Sequence, residues 1–231
     1  MTALHEFGPE IWLSDGRVIK AALGFHYPTR MAVIRLTGGD LFIWSPVALT
    51  EGLRVQLAEM GVIRFVVAPN GLHDTYLTEW MAAFPEAELH VAPGLAAKRT
   101  DLAIEAELGN TGPWAGEIAQ VVMEGNKITC EVVFFHKPSG TALVTDLLQQ
   151  FPRGWHKGWR GLIARLDLMT EPMPAVPQKF RVAFRDRKKA RSAVRAILSW
   201  PVEKVVMAHG TPVTEDGAAY LRRAFAWLRV D

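Results

Sequence analysis

Val62-Ile63-Arg64-Phe65-Val66-Val67-Ala68-Pro69-Asn70-Gly71-Leu72-His73-Asp74 is the stretch on which the fold reading turns. Val62–Ala68 is apolar and β-branched, the composition of a strand covered on both faces of a sheet. Proline, asparagine and glycine then open a loop, Pro69–His73, and a helix is predicted from about Asp74 to Phe84. On the upstream side Thr50 caps a helix running to about Met60. Leu53, Leu57 and Met60 have helical spacing there, and Gly61 is the stop. On the downstream side Glu88–Ala92 reads as the next strand. Before all of this, the first 45 residues read as strands and turns. Arg17–Leu23 follows the Ser14-Asp15-Gly16 turn, and Arg30–Leu36 and Leu41–Trp44 flank a hairpin signal at Thr37-Gly38-Gly39-Asp40. Strands first, then α, β, α, β, define a layered α/β (α+β) fold.

The second half repeats the scheme. Glu117–Glu124 and Lys127–Phe135 are strands separated by Gly125-Asn126, and Lys137-Pro138-Ser139-Gly140 turns into Thr141–Thr145. Arg153–Arg165 is aromatic and basic, and Glu171–Gln178 reads as a proline-rich loop. Asp186 caps a basic helix ending near Ser199. Lys204–Ala208 is a short strand, His209-Gly210 a turn, and Glu215–Leu228 an amphipathic helix. No internal repeat and no long polar linker interrupts the chain, so residues 1–231 are expected to form a single domain.

With 231 residues, 49% of them apolar, the chain can bury a full core and is not intrinsically disordered. Cys130 is its only cysteine, which excludes an internal disulfide and a Cys-rich zinc module. The apolar runs are too short to span a bilayer and the N-terminus lacks a signal-peptide pattern, so a cytoplasmic protein with no membrane partner is expected. The net charge of +2 conceals an asymmetry. Residues 1–150 hold 10 basic and 17 acidic side chains, whereas residues 151–231 hold 16 and 7. The basic segment Arg181–Arg195 reads as a solvated helix face with Val194, Ile197 and Leu198 packed inward. No nucleic-acid-binding signature accompanies the charge, so no nucleic-acid partner is expected. Dinucleotide, phosphate-loop and Gly-x-Ser-x-Gly motifs are absent.

Three polar residues stand at or just past strand ends, where α/β folds place their sites. These are Asp74, Asp146 after Ala142–Thr145, and His209 after Val205–Ala208. Two carboxylates and an imidazole suit a divalent ion. His73, His136 and Glu131 could add ligands. Each has a plainer role available: Asp74 as a helix cap, Asp146 as a turn cap, His209 as a loop hydrogen-bonder and His136 as a hairpin-end residue.

In chain order these segments resemble the metallo-β-lactamase-like hydrolases. That family's first ligand loop reads His-x-His-x-Asp-His, and the stretch here is Asn70-Gly71-Leu72-His73-Asp74-Thr75. Its bridging aspartate ends a strand, as in Leu143-Val144-Thr145-Asp146, and its last ligand is a His-Gly, as in Ala208-His209-Gly210. Tyr27-Pro28-Thr29-Arg30-Met31, Ala68-Pro69-Asn70, Glu131–His136 and Trp155–Arg160 resemble an uncharacterised bacterial branch of that superfamily. The resemblance implies a four-layer αββα sandwich. Asn70, Leu72 and Thr75 replace histidines of the family's loop, so the metal-binding loop is degenerate and at most one metal site is expected. Its ligands would come from His73, Asp74, Glu131, Asp146 and His209, with Asp146 and His209 foremost and Asp74 as a third ligand or general base.

The resemblance implies a metal-dependent hydrolase of unknown substrate, using one ion at most: zinc, with manganese or iron as alternatives. The competing expectation is a non-catalytic descendant, without metal, that binds a ligand or partner in the old cleft. The partner is in either case a small-molecule substrate or ligand, an anionic one if basic side chains line the cleft beside His209.

Overall fold

The computed structural model describes residues 3–171 and 175–230. In chain order the first seven strands are β1 (His5–Gly8), β2 (Ile11–Asp15), β3 (Ile19–Lys20), β4 (His26–Tyr27), β5 (Arg30–Arg35), β6 (Asp40–Trp44) and β7 (Val62–Ala68). Helix α1 (Glu51–Met60) precedes β7, and α2 (Leu77–Ala83), β8 (Glu88–Val91), α3 (Leu95–Lys98) and β9 (Ala106–Glu107) follow it. The second half comprises β10 (Ile118–Met123), β11 (Glu131–His136), β12 (Thr141–Gln150), α4 (Gly158–Leu166), α5 (Gln178–Ala183), α6 (Arg187–Leu198), β13 (Lys204–Gly210) and α7 (Gly217–Phe225).

Two sheets form the body. One has seven strands in the order β1-β2-β5-β6-β7-β8-β9, and the other has four in the order β10-β11-β12-β13. β3 and β4 make a separate two-stranded ribbon. The hairpin partners β5 and β6 run antiparallel, whereas β6, β7 and β8 are parallel because α1 and α2 carry the chain back across one face. Inner faces of the two sheets meet in a core containing Phe42, Trp44, Phe65 and Val67 from the first, and Val132, Phe134, Leu143 and Val206 from the second. Leu53, Leu57, Leu77 and Trp80 cover the outer face of the large sheet. Phe180, Val194, Ile197, Leu221 and Phe225 cover the outer face of the small one. The layers are helix, sheet, sheet, helix.

Val62–Ala68 has its expected bounds, and Thr50 does cap α1, its hydroxyl accepting from the Leu53 N–H. α6 is capped by Asp186 and buries Ala190, Ala193, Val194 and Ile197, while Leu198 is partly buried. Elsewhere boundaries moved. Only Ile19–Lys20 of Arg17–Leu23 is a strand, since Ala22–Gly24 closes as a tight 3-10 turn. The strand expected from Lys127 begins at Glu131, because the Asn126 side chain ties up the Ile128 N–H and keeps the chain in a turn. The proline-rich loop includes residues 172–174, which lie outside the described residues, and α5 begins at its last residue, Gln178. β12 does not stop at Thr145 but continues to Gln150 past a register shift between Val144 and Gln149. Asp146 therefore sits at an irregularity inside a strand, where the ladder with β13 is open.

Candidate metal centre

His73, Asp146 and His209 come from the loop after β7, the irregular stretch of β12 and the end of β13. One ligand-type atom from each lies within 4.8 Å of the others. The Asp146 carboxylate is central: Oδ2 is 3.4 Å from His73 Nε2, and Oδ1 is 3.4 Å from His209 Nε2. All three side chains are at least nine-tenths buried.

Each is held from behind. His209 Nδ1 lies 2.7 Å from the Pro28 carbonyl oxygen, so Nδ1 carries the proton and donates it. His73 Nδ1 is 2.8 Å from the Ser45 hydroxyl. Ser45 adopts φ 53°, a left-handed conformation that non-glycine residues rarely take. Asp146 Oδ2 accepts from Asn70 Nδ2 at 2.8 Å, and Oδ1 from Gln149 Nε2 at 3.3 Å. Gly210 follows His209 with φ 123°, and a Cβ there would run into the Gln150 carbonyl, so this strand end requires glycine. Arg30 secures the same strand end from the other sheet, donating to the carbonyls of Met207 and Gly210 while its Nε meets Asp15.

Of the sequence-predicted ligands, Glu131 is buried beneath this group but is not one of it. Its Oε1 accepts from the Thr145 N–H at 2.7 Å, and its Oε2 from the N–H groups of Asp146 and Leu147 at 2.9 and 3.0 Å. Those are the donors that the break in the β12 ladder leaves without strand partners. Glu131 is the platform on which Asp146 rests, and its lone pairs are already engaged. Burial, and then the Asp146 charge, push its carboxyl up to about 7 against those hydrogen bonds. Burial also opposes ionisation of Asp146, but hydrogen bonds from His209 and His73, and their charges when protonated, outweigh it and hold that carboxyl well below the usual range.

The expected convergence of Asp74 with Asp146 and His209 is not met. Its Oδ2 lies 2.9 Å from Lys98 Nζ and 3.7 Å from the Arg99 guanidinium, so two cations draw it away from the cluster. His136 lies at the far end of β11 from Glu131, roughly 17 Å along the strand. There its Nδ1 meets the Ser139 hydroxyl and its Nε2 has no partner. Sequence reasoning did not assign roles to Ser45, Asn70, Gln149 or the Pro28 carbonyl. Only Pro28 and Asn70 fell inside stretches singled out for resemblance.

The cluster opens on a cleft of about 310 Å³. Ile19, Tyr27, Pro46, Leu72, Ile128 and Phe180 give it a mostly apolar wall. Tyr27 packs edge-on to His209, with ring centroids 5.3 Å apart, and burial raises its phenol pKa against the influence of Lys179. Lys179 is the basic side chain on the cleft, and it is paired with Asp167 at 3.1 Å. None of the side chains of Arg181–Arg195 lines it.

Two sheets in an αββα sandwich, with a His/Asp/His group at one edge, give the metallo-β-lactamase fold. Solved structures agree at the level of fold. A metallo-β-lactamase named DIM-1, exposed to ceftazidime, superposes with a TM-score of 0.67 over 99% of this chain and 96% of its own, at 12% identity. A metallo-β-lactamase from Pontibacter korlensis gives 0.63 over 100% of both chains, also at 12% identity. The metallo-β-lactamase FIM-1 from Pseudomonas aeruginosa, in a mono-zinc form, gives 0.62 over 95% of this chain and 92% of its own, at 12% identity. The chain itself belongs to the family described as "Domain of unknown function (DUF4336)", whose profile matches residues 10–157. No curated protein sequence matches it.

Proposed function

We propose that this chain is a single-domain, metal-dependent hydrolase with one ion held by His73, Asp146 and His209. The observation that carries the reading is at His209. The Pro28 carbonyl can only accept, so it claims the Nδ1 proton, and in the neutral ring Nε2 bears a lone pair. That lone pair faces a carboxylate oxygen at 3.4 Å. A lone pair facing a carboxylate in a buried site needs a positive charge between them, either a second ring proton or a metal ion, and a second imidazole, His73, on the same carboxylate favours the ion. The spacing also suits zinc, since donors at about 2.0–2.1 Å around a tetrahedral centre lie about 3.4 Å apart. The ring-to-carbonyl and ring-to-hydroxyl contacts behind both histidines are the outer supports that metal ligands ordinarily have.

A metal held there would supply Lewis acidity toward water and toward a substrate carbonyl or phosphoryl oxygen. The chain's own residues do the rest. Glu131 and Asn70 fix the Asp146 carboxylate, Pro28 and Ser45 fix the two rings, and the apolar wall seats the uncharged part of a small substrate. Because the arginines of α6 stay off the cleft, a strongly anionic substrate is not favoured.

Leu72, exposed on the cleft wall where the resembling family has a histidine, supports the second reading, a non-catalytic protein binding a ligand in the cleft. Metal analysis separates the two. The purified chain, equilibrated with zinc and dialysed, is expected to retain about one equivalent, which His209→Ala should lose without unfolding. A wild type that retains none would leave only the non-catalytic reading.

A further inference from the structure

α4 is folded the wrong way round for a helix of a water-soluble body. Such a helix normally turns its apolar stripe to the core. Here Trp159, Leu162, Ile163 and Leu166, spaced i, i+3, i+4, i+7, are 50%, 60%, 41% and 68% exposed, and the buried residue of the helix is Ala164. Trp155, just before the helix, is also exposed, and its indole N–H is pinned to the His26 carbonyl. Beside them stands Leu23, 73% exposed at φ 58° on the turn that follows β3. Arg160 joins the two elements by donating to the Leu23 carbonyl at 2.8 Å, and its guanidinium lies 4.6 Å from the Trp159 ring centre. A strained backbone thus holds up one leucine next to a helix that displays four large apolar side chains.

The charge along this ridge is predominantly basic, with Glu171 sharing a flanking pocket with Arg153, Leu162 and Arg165. Arg153, Lys157, Arg160 and Arg165 fall within residues 153–166, and that stretch has no carboxylate. We propose that the α4 face, with Leu23, docks on an anionic lipid bilayer surface. Leucine and isoleucine would enter the boundary of the acyl chains, the two tryptophans would lie at headgroup level, and the basic side chains would meet lipid phosphates. A second copy of the chain is the poorer occupant, because pairing two such faces sets four positive charges against four more, with Glu171 as the acidic group at the margin. Exclusion of a membrane on the sequence concerned spanning segments, and no helix among the described residues is long and apolar enough to cross one. Lying on a surface is a different property, and it requires a one-sided helix such as α4.

Sedimentation of the full chain with vesicles tests this. The chain should bind vesicles of about three parts phosphatidylcholine to one part phosphatidylglycerol, and should stay in solution with phosphatidylcholine alone. Leu162→Ser with Leu166→Ser, and separately Lys157→Glu with Arg165→Glu, should each weaken binding at least about tenfold. Circular dichroism of both variants should be unchanged, since the four side chains are exposed. Failure of the wild type to bind the anionic vesicles overturns the proposal, as does undiminished binding by the serine variant. A solution dimer of the wild type that the serine variant dissociates also overturns it, in favour of a second copy.

Discussion

Asp146→Asn should leave the metal-free protein within about 1 kcal/mol of the wild type while abolishing its response to zinc. Consider the protein with chelator and the Nδ1 proton of His209 committed to the Pro28 carbonyl, Nε2 being unprotonated. The His209 Nε2 lone pair then faces Asp146 Oδ1 with nothing between them. An asparagine of the same shape can keep its oxygen on the Asn70 side, preserving that 2.8 Å hydrogen bond, and turn its amide toward His209. One N–H would satisfy Nε2. The other would meet Gln149, whose buried Oε1 has no partner and can swing inward by an amide flip. The variant loses one long hydrogen bond, from Gln149 Nε2, and gains two neutral ones. At about 0.5–1.5 kcal/mol for each neutral bond gained and about 1.5–3 kcal/mol for the lost bond to a carboxylate, the two sides cancel to within about 1 kcal/mol, or about 2–4 °C in melting temperature for a chain of this size. Zinc should separate the two. At about one hundred times its Kd it stabilises the wild type by about 2.7 kcal/mol and leaves the variant unmoved. Urea unfolding of both proteins, with chelator and with zinc, measures all four values. If the variant is less stable than the wild type under chelator by more than about 2 kcal/mol, His209 carries a second proton and the pair is an ordinary ion pair, which removes the argument for a cation site.

Three further outcomes are expected. Burial holds His136 at a pKa of about 4, so the folded chain leaves it neutral while the unfolded chain protonates it below about 6.5. Stability should therefore fall as pH drops from about 6.5 to 4, by about 3 kcal/mol in all, and His136→Gln should flatten that slope in urea titrations. Glu131→Gln turns an amide toward backbone N–H groups that need an acceptor; it should cost about 1–3 kcal/mol and weaken zinc retention, read by unfolding and by metal analysis. Asp74→Asn, by contrast, should retain zinc like the wild type and lose less than about 1 kcal/mol, because the Lys98 it releases is half exposed; loss of its zinc would return Asp74 to the ligand set.

The range of the forces involved decides which of these features could be read from the sequence. Val62–Ala68 is legible to the residue because Phe65–Ala68, covered on both faces, are apolar in succession and proline then ends the run, while Val62 and Arg64 at its start face solvent. His209 is legible as a strand-end residue, but the turn expected at His209-Gly210 is the last part of β13, paired with Gln149 and Gln150, and the glycine is needed there for its close approach to the Gln150 carbonyl. His73 against Asp74 is another matter. Adjacent side chains diverge, and which one faces inward depends on Ser45 drawing the ring one way and on Lys98 and Arg99 drawing the carboxylate the other. Those partners lie more than twenty positions away, and local spacing carries no trace of them. The continuation of β12 past Asp146 was hidden for the same reason: an open ladder is tolerable only because Glu131, on the neighbouring strand, accepts the freed N–H groups. Arg153–Arg165 reads from the sequence only as aromatic and basic; its i, i+3, i+4, i+7 stripe folds as α4, with the apolar face turned to solvent rather than to the core.

The two bonds from Arg30 to the carbonyls of Met207 and Gly210 bridge 177 and 180 positions of sequence. This couples the completion of the site to the order in which the chain emerges and folds. Contacts of that separation form late, after the large loop between them has closed. A nascent chain that has not yet released β13 from the ribosome can assemble the seven-stranded sheet around β7 and present His73. It has neither the strand that carries His209 nor the Gly210 carbonyl that Arg30 anchors. Completion of the His73/Asp146/His209 set is therefore coupled to docking of the last strand. In refolding experiments, zinc should slow the unfolding of the native protein and leave the early folding phase unchanged.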